Sequence, residues 1–255
     1  MKLISLNIWD ARVFEPLMDF FGHNQEIDIF CLQEVFNGNE IGFFRDRKRI
    51  NGFLEIQNKL PNHQGYFVNT ELLDDIPERG IKVPYGLAIF MKKDIKVLSH
   101  HHDIIFGDAH RSLDHDAKTH KRVIQTVCIN ENNRPIAISN VHGLWNGQGK
   151  TDTPDRIEQS NKIKTHIKKF NYPIILAGDF NLLPDTQSLG IIREGMRDLI
   201  KEYNITSTRS KLYNKHEKPV LYADYIFTSS EIEINDFNIL SDVVSDHLPL
   251  LLDFN

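Results

Sequence analysis

The amino-acid sequence predicts a mixed α/β fold in which two sheets pack against each other and helices lie outside them. Segments with strand character are numerous, residues 130–134 look like a hairpin turn, and only a few helical segments separate the strands. The chain has 255 residues, 40% hydrophobic and 25% charged, which is enough for a large core. We expect residues 1–255 to form a single domain.

Strands are predicted where short apolar or alternating runs lie between turn-forming residues. The run at residues 173–177 is continuously apolar, which is typical of a strand buried on both faces. The predicted strands cover residues 2–9, 27–35, 65–70, 85–92, 123–129, 135–141, 173–180, 224–228, 233–240 and 249–254.

Helices are predicted in four segments. In the second segment the apolar residues have helical spacing, although Gly52 interrupts the pattern and Pro61 ends it. The third begins at a favourable N-cap, Thr153, with Pro154 in the first turn. The predicted helices cover residues 15–24, 40–60, 154–170 and 188–202, and the predicted loops cover residues 77–84 and 107–121.

Composition and charge narrow the classes of function. The formal net charge is -5, so no dominant basic field holds nucleic acid non-specifically. The basic run at residues 45–49 contains Asp46 and is interpreted as a solvated helix face. Cys31 and Cys128 lie in apolar runs and are expected to be buried, free thiols. No apolar run approaches ~18 residues, so we expect no transmembrane segment and a cytoplasmic location.

Half of the 12 histidines lie between residues 100 and 120, three of them as His100, His101 and His102. A zinc site requires ligands at defined spacing, usually with supporting residues. We therefore interpret this segment as a solvated loop.

The motif Gly178-Asp179-Phe180-Asn181 follows the apolar run at residues 173–177. On an extended chain, residues two apart point to the same face, so a carboxylate and an amide would leave the strand end together. Asp is disfavoured inside strands, and Asp179 therefore needs a partner or a metal ion, or else forms an Asx turn.

A second motif, Ser245-Asp246-His247-Leu248-Pro249, places a carboxylate next to an imidazole. Asp224 opens another apolar strand and is a candidate partner for His247. A buried carboxylate bonded to imidazole fixes its tautomer and stabilises the imidazolium. The alternative is that Asp224 forms an unrelated salt bridge.

Other polar residues stand where predicted strands begin or end. Glu34 is placed to bind Mg²⁺, unless it is a solvated loop residue. Asn7 binds a phosphate oxygen, holds a metal ligand or only forms a turn. His142 precedes a glycine-containing loop whose Trp145 packs against either the substrate or the core. Arg122 clamps a phosphate or forms a surface ion pair.

These residues occur in an order that resembles the endonuclease/exonuclease/phosphatase superfamily along the whole chain. The matching segments are Leu6-Asn7, Gln33-Glu34, Gly178-Asp179-Phe180-Asn181, Asp224-Tyr225 and Ser245-Asp246-His247-Leu248-Pro249. The resemblance implies a four-layer α/β/β/α sandwich of two mixed sheets with helices outside. His142 is similar to the deoxyribonuclease, sphingomyelinase, deadenylase and phosphatase branches, and unlike the AP endonucleases.

The resemblance also implies roles. Glu34 would bind a divalent metal ion, with Asn7 beside it and Asp246 as a direct or water-mediated ligand. Asp179 would orient or deprotonate the attacking water, and Asn181 would hold a phosphate oxygen.

The remaining implied roles concern the phosphoryl group. His247, oriented by Asp224, would stabilise the pentavalent transition state. His142 would assist the leaving group or grip phosphate, and Tyr85 lies near the position of a family active-site tyrosine. Arg122 and Trp145 are expected to contact substrate.

We therefore expect a divalent-metal-dependent phosphodiester hydrolase that attacks phosphorus with an activated water, with a nuclease as the leading form. The alternative is a phosphomonoesterase or a lipid- or inositol-headgroup phosphoesterase with the same site. A binding module with an inactive site is disfavoured because the set from Glu34 to His247 is intact. The implied cofactor is Mg²⁺, with Mn²⁺ as a substitute. The expected partner is a phosphoester substrate, with DNA and RNA among the candidates, and no obligate protein partner is expected.

Overall fold

A computed structural model describes residues 1–43, 46–76, 81–107, 121–213 and 221–255. Its strands form two six-stranded sheets. The first sheet contains, in spatial order, β11 (Ile234–Ile239), β12 (Leu250–Phe254), β1 (Lys2–Asn7), β2 (Ile29–Phe36), β4 (Ile81–Lys92) and β3 (His63–Ile76). The second contains β5 (Lys96–Phe106), β6 (Arg122–Glu131), β7 (Arg134–His142), β8 (Ile174–Asp179), β10 (Asp224–Thr228) and β9 (Arg197–Asp198).

Both sheets are mixed. β1 and β2 are parallel, β7 and β8 are parallel, and the other neighbouring strands are antiparallel. The helices of the described ranges are α1 (Phe14–His23), α2 (Gly52–Lys59), α3 (Pro154–Ile167), α4 (Gln187–Arg193) and α5 (Leu199–Glu202).

Alternation along the strands separates the two faces of the first sheet. Leu3 and Cys31 point into the core between the sheets, whereas Ile4 and Phe30 pack against α1 and α2. All four side chains are fully buried, and burial of each large apolar side chain stabilises the fold by roughly 1.5–3 kcal/mol. The predicted four-layer α/β/β/α sandwich is confirmed, with α3 and α4 contributing to the opposite helical layer.

Two local predictions were confirmed, the N-cap of α3 and the buried, free cysteines. The Thr153 side chain caps α3 by accepting a hydrogen bond from the backbone N–H of Arg156. Cys31 and Cys128 are buried, free thiols. Within the described ranges, no helix has the length and apolar character needed to cross a membrane.

Three element predictions were wrong. Residues 40–43 and 46–51 are not helical, and of the described part of the predicted long helix only Gly52–Lys59 forms, capped by Asn51. Residues 81–84, predicted as part of a loop at 77–84, belong to β4, and residues 77–80 lie outside the described residues. Residues 188–202 are mainly helical as predicted, with the short β9 between α4 and α5. His100–His102 lie on the edge strand β5 and not in a loop. Other residues of β5, such as Val97 and Asp103, are half-buried and hold this strand against the protein. The other histidines of that segment lie outside the described residues.

The basic run at residues 45–49 was also misread. The described part of the run is not helical, and Lys48 and Arg49 are half-buried, whereas Arg47 is exposed as expected. Arg49 forms an ion pair with Glu55, and its guanidinium lies 3.8 Å from the centre of the Phe14 ring. Residue 45 lies outside the described residues.

Candidate active site

A pocket of about 500 Å³ lies where the carboxyl ends of the two parallel strand pairs meet. We call it the central pocket. Most of the predicted site residues line it, namely Glu34, Tyr85, Arg122, His142, Trp145, Asp179, Asn181, Asp246 and His247. Asn7 and Asp224 are not among the lining residues, but each forms hydrogen bonds to residues that line the pocket. The structure therefore brings all of the predicted residues together.

A bulge in β2 directs Glu34 into the central pocket. The register of β2 against β4 shifts between Leu32 and Val35, and Glu34 has a positive φ of 59°. Asn7 ends the neighbouring β1 and donates hydrogen bonds of 3.0 Å to both Glu34 Oε1 and Asp179 Oδ2. Its side-chain oxygen accepts from Trp9 N, so Asn7 holds the two carboxylates and does not offer them an oxygen.

The other parallel pair supplies His142 and Asp179 from neighbouring register positions at the ends of β7 and β8. Gly178 permits this close approach, because a Cβ there would lie 2.0 Å from the carbonyl oxygen of Val141. Asn181 is not on the extended chain as expected, since its φ is 54°. Its backbone N–H donates to Asp179 Oδ1 at 2.8 Å, so the two residues share the pocket through an Asx turn.

His247 is fixed by three other residues. Its Nδ1–H donates to Asp224, at 2.8 Å from Oδ1 and 2.9 Å from Oδ2. Thr208 donates from its hydroxyl to Asp224 Oδ2, also at 2.8 Å. Ser245 Oγ donates to the Asn7 carbonyl and accepts from the His247 backbone N–H, which ties the second motif to the end of β1.

Asp179 Oδ2 lies at the centre of these groups. It is 3.6 Å from His247 Nε2 and 3.8 Å from His142 Nε2. Burial alone would raise the pKa of Asp179, but His247, Lys150 and His142 outweigh burial and lower it, so this residue remains a carboxylate. Burial, with Arg122, lowers the pKa of His142 well below its usual value, so that imidazole is neutral near pH 7.

The predicted substrate contacts all line the central pocket. Arg122 is buried and its guanidinium lies 3.3 Å from His142 Nδ1. Tyr85 packs against Phe36 with ring centres 4.9 Å apart, and burial raises the pKa of its phenol. Trp145 is half-buried in the loop after β7.

The sequence analysis missed seven residues of the pocket. They are Trp9, Asp10, Arg12, Lys48, Lys150, Arg209 and Tyr213. Trp9 and Asp10 lie in a turn with positive φ directly after β1. Their position close to Asn7 in the sequence could have marked them as pocket residues. The distant Arg209 and Tyr213 carry no local pattern that marks them.

Glu34 and Asp246 fit a divalent cation. Burial raises the pKa of Glu34 to about 8, and Asp10, Asp246 and Asp179 add to this rise. Asp246 Oδ1 is buried and has no hydrogen-bond partner among the described residues. A cation bound to oxygen would satisfy this atom and relieve the repulsion between the carboxylates.

Asp179, Asp224 and His247 also offer ligand atoms within 4.8 Å of one another. However, Asp224 already accepts bonds from His247 and Thr208. This cluster is therefore better explained as a hydrogen-bonded relay than as a set of metal ligands.

Comparisons with known proteins identify the family of the chain. The model of the endonuclease/exonuclease/phosphatase family matches residues 5–247. The UPF0294 protein plu0699 of Photorhabdus laumondii is 30% identical over 135 residues, 52% of this chain and 48% of that protein. The chain thus matches about half the length of this curated relative.

Solved structures share the fold. An endonuclease/exonuclease/phosphatase from Bacteroides vulgatus has a TM-score of 0.75 at 17% identity, covering 100% of this chain and 98% of that one. The mannosyl-6-phosphatase Bt3783 of Bacteroides thetaiotaomicron has a TM-score of 0.74 at 17% identity, covering 100% and 99%. By the family match over residues 5–247, the chain belongs to the endonuclease/exonuclease/phosphatase family.

Proposed function

We propose that this protein is a divalent-metal-dependent phosphoester hydrolase in which water attacks phosphorus. One observation carries the proposal. Asp179 Oδ2 accepts a hydrogen bond from Asn7 and lies within 3.8 Å of Nε2 of both His142 and His247. A carboxylate between two imidazoles can orient a water molecule beside groups that exchange protons with the substrate.

The residues divide the reaction between them. Asp179 accepts a hydrogen bond from the attacking water and orients it for attack on phosphorus. As the new O–P bond forms and the bond to the leaving oxygen breaks, the water loses a proton and the leaving oxygen gains one. His247, held by Asp224, is positioned to take or supply a proton through Nε2. His142 is positioned beside the leaving group, and Asn181 holds a phosphoryl oxygen.

Glu34 and Asp246 would hold the cation, and Asn7 would keep Glu34 in place. A bound Mg²⁺ or Mn²⁺ supplies positive charge that stabilises the phosphoryl oxygens. The carboxylates of Glu34 and Asp246 fit either ion, since both Mg²⁺ and Mn²⁺ bind carboxylate oxygens.

The nuclease form stays a prediction. The net charge of -5 does not favour a long polyanion, and Lys48 and Arg49 of the basic run at residues 45–49 are engaged with carboxylates. The phosphomonoesterase alternative has a specific observation in its favour. Lys150 and Arg209 place two further positive charges at the central pocket, and one fold neighbour is named a mannosyl-6-phosphatase.

The test is an activity panel with Mg²⁺, with Mn²⁺ and with chelator. Substrates are single- and double-stranded DNA, RNA, sphingomyelin, inositol phosphates, a chromogenic monoester and a chromogenic diester. We expect hydrolysis that requires the cation, and a Glu34→Gln variant that needs a higher Mg²⁺ concentration. Glu158→Gln, whose side chain is 60% exposed on α3, is the matched control. Equal activity in chelator, or an unchanged Mg²⁺ requirement in Glu34→Gln, would contradict the proposal.

A further inference from the structure

Lys150 is a buried cation that the mechanism above does not use. It lines the central pocket and is 4% exposed. Its Nζ donates to the Tyr222 carbonyl at 3.2 Å, and no carboxylate oxygen of the described residues lies within 4.0 Å of it. An ammonium group has three donors, and a buried one that forms no direct ion pair is available to an anionic ligand.

The chain fixes Lys150 through its neighbours on both sides. Arg156 of α3 is fully buried and donates to the carbonyls of Gly149 and Thr151, each at 2.5 Å. The carbonyl of Lys150 itself accepts from the backbone N–H of Leu183 at 2.9 Å. A buried guanidinium therefore holds the backbone that presents a buried ammonium group, which is the arrangement expected of a preorganised binding residue.

Arg209 is a second buried cation at the same pocket. Its Nη1 contacts His247 Nε2 and lies 3.4 Å from Asp246 Oδ2, and the guanidinium lies 4.2 Å from the centre of the Tyr213 ring. Its Nε is buried without a partner among the described residues. The backbones of Arg209 and His247 form an antiparallel bridge, so this arginine cannot move far from the histidine.

Arg12 and Lys48, two other cations of the pocket, each form ion pairs with Asp10 and Asp46. Lys150 has no carboxylate oxygen within 4.0 Å in the described part of the chain, although it interacts with Asp179 electrostatically over a longer distance. The carboxylate beside Arg209 is one that would hold the cation. Lys150 and Arg209, together with the buried Arg122, therefore offer positive charge to a substrate. A phosphomonoester near neutral pH carries nearly two negative charges on three terminal oxygens, whereas a phosphodiester carries one.

We propose that Lys150 and Arg209 bind the terminal oxygens of a phosphomonoester and make the enzyme favour a phosphomonoester over a phosphodiester. This inference rests on the proposed phosphoester hydrolysis and deepens it. The two residues act as substrate-binding residues, and the ratio of the two activities is therefore the quantity that reports on them.

The experiment compares p-nitrophenyl phosphate with methyl p-nitrophenyl phosphate, which share a leaving group. In the presence of Mg²⁺, wild type should have the higher kcat/KM for the monoester. Lys150→Gln should lower kcat/KM for the monoester by about 10–100-fold and for the diester by less than about 3-fold, as expected for loss of a charged hydrogen bond. Arg209→Gln should lower the ratio in the same direction. Lys162→Gln, on the exposed side of α3, is the matched control.

The outcomes are distinguishable. A wild type that prefers the diester, or a ratio unchanged in both variants, overturns this inference while leaving phosphoester hydrolysis intact. If Lys150→Gln does not fold, as judged by thermal unfolding, Arg209→Gln decides. If wild type hydrolyses neither ester with Mg²⁺ or Mn²⁺, the proposed function fails. Calorimetry with inorganic phosphate then tests the anion site alone. Binding weakened at least about tenfold in the variants supports the site, and unchanged binding overturns it.

Discussion

Two histidine–aspartate pairs lie in different parts of the molecule, and they differ in the group that the second ring nitrogen contacts. In the first pair, His247 Nδ1 bonds to Asp224 at 2.8 Å. In the second, His166 Nδ1 bonds to Asp103 at 2.5 Å, and Lys169 also contacts that carboxylate. Both imidazoles are almost completely buried.

The difference lies at Nε2. His166 Nε2 is 2.8 Å from the hydroxyl of Thr126, which is itself bonded to Ser139, so both ring nitrogens are satisfied within the protein. His247 Nε2 also has a protein partner, the guanidinium of Arg209, but it lies in the central pocket beside Asp179, where a substrate can reach it. A histidine–aspartate pair therefore does not define a reactive site, and the group that Nε2 faces decides whether the pair is structural or chemical.

The largest expected effect separates the two histidines by activity. His247→Gln should lower kcat for a phosphoester by about 10²–10⁴-fold, because it removes a positioned proton-transfer group. His166→Gln should leave kcat within about twofold of wild type, since both of its nitrogens are used in structural hydrogen bonds. Steady-state kinetics with Mg²⁺ measure both variants. Similar losses in the two variants would show that the comparison between the pairs is wrong.

The carboxylates should differ in the same way, with a smaller effect. Asp224→Asn keeps the shape of the side chain but loses the charge that fixes the His247 tautomer, so kcat should fall by about 10²-fold with KM nearly unchanged. Asp103→Asn is the matched control and should leave kcat unchanged. A rise in KM at constant kcat would instead assign Asp224 to substrate binding.

The first of these pairs was predictable from the sequence and the second was not. Asp246-His247 stands before an apolar strand, and Asp224 opens another, so strand boundaries marked both partners. Asp103 was hidden because consecutive histidines made β5 look polar, although an edge strand can carry polar residues on its exposed face. Local pattern therefore identifies residues at strand ends better than residues on edge strands.

The same limit explains the missed pocket residues. Lys150 and Arg209 come from loops, and their approach depends on tertiary contacts such as Arg156 with the carbonyls of Gly149 and Thr151. Side-chain to backbone bonds of this kind leave no periodic pattern in the sequence. The sheet order is similarly non-local, yet apolar runs predicted most of its strands because burial itself imposes the pattern.

Stability should not separate the two histidines as activity does. His166→Gln should lower the free energy of unfolding by about 1–3 kcal/mol, because the hydroxyl of Thr126 and the carboxylate of Asp103 lose their buried partner. His247→Gln should lower it by a similar amount, because the buried carboxylate of Asp224 loses its partner. Urea denaturation monitored by circular dichroism measures both. A loss confined to one of the two variants would contradict this expectation.

The smallest expected effect is on the pH dependence of stability. Burial lowers the pKa of folded His166 below its usual value of 6.5, although Asp103 opposes this shift. As pH falls below 6.5, the unfolded chain takes up a proton that the folded protein does not bind, so this contribution to stability is present at higher pH and is lost on acidification.

In urea denaturation between about pH 7.5 and about pH 5.5, wild type should therefore lose stability as pH falls, and His166→Gln should decline less steeply, by at most about 1.4 kcal/mol per pH unit. Part of the slope should persist in the variant, because burial lowers the pKa values of His63 and His100 in the same direction. Identical slopes in wild type and His166→Gln would mean that Asp103 compensates fully for burial. His166 would then be protonated as readily in the folded protein as in the unfolded chain, and the contrast with His247 would rest on Nε2 alone.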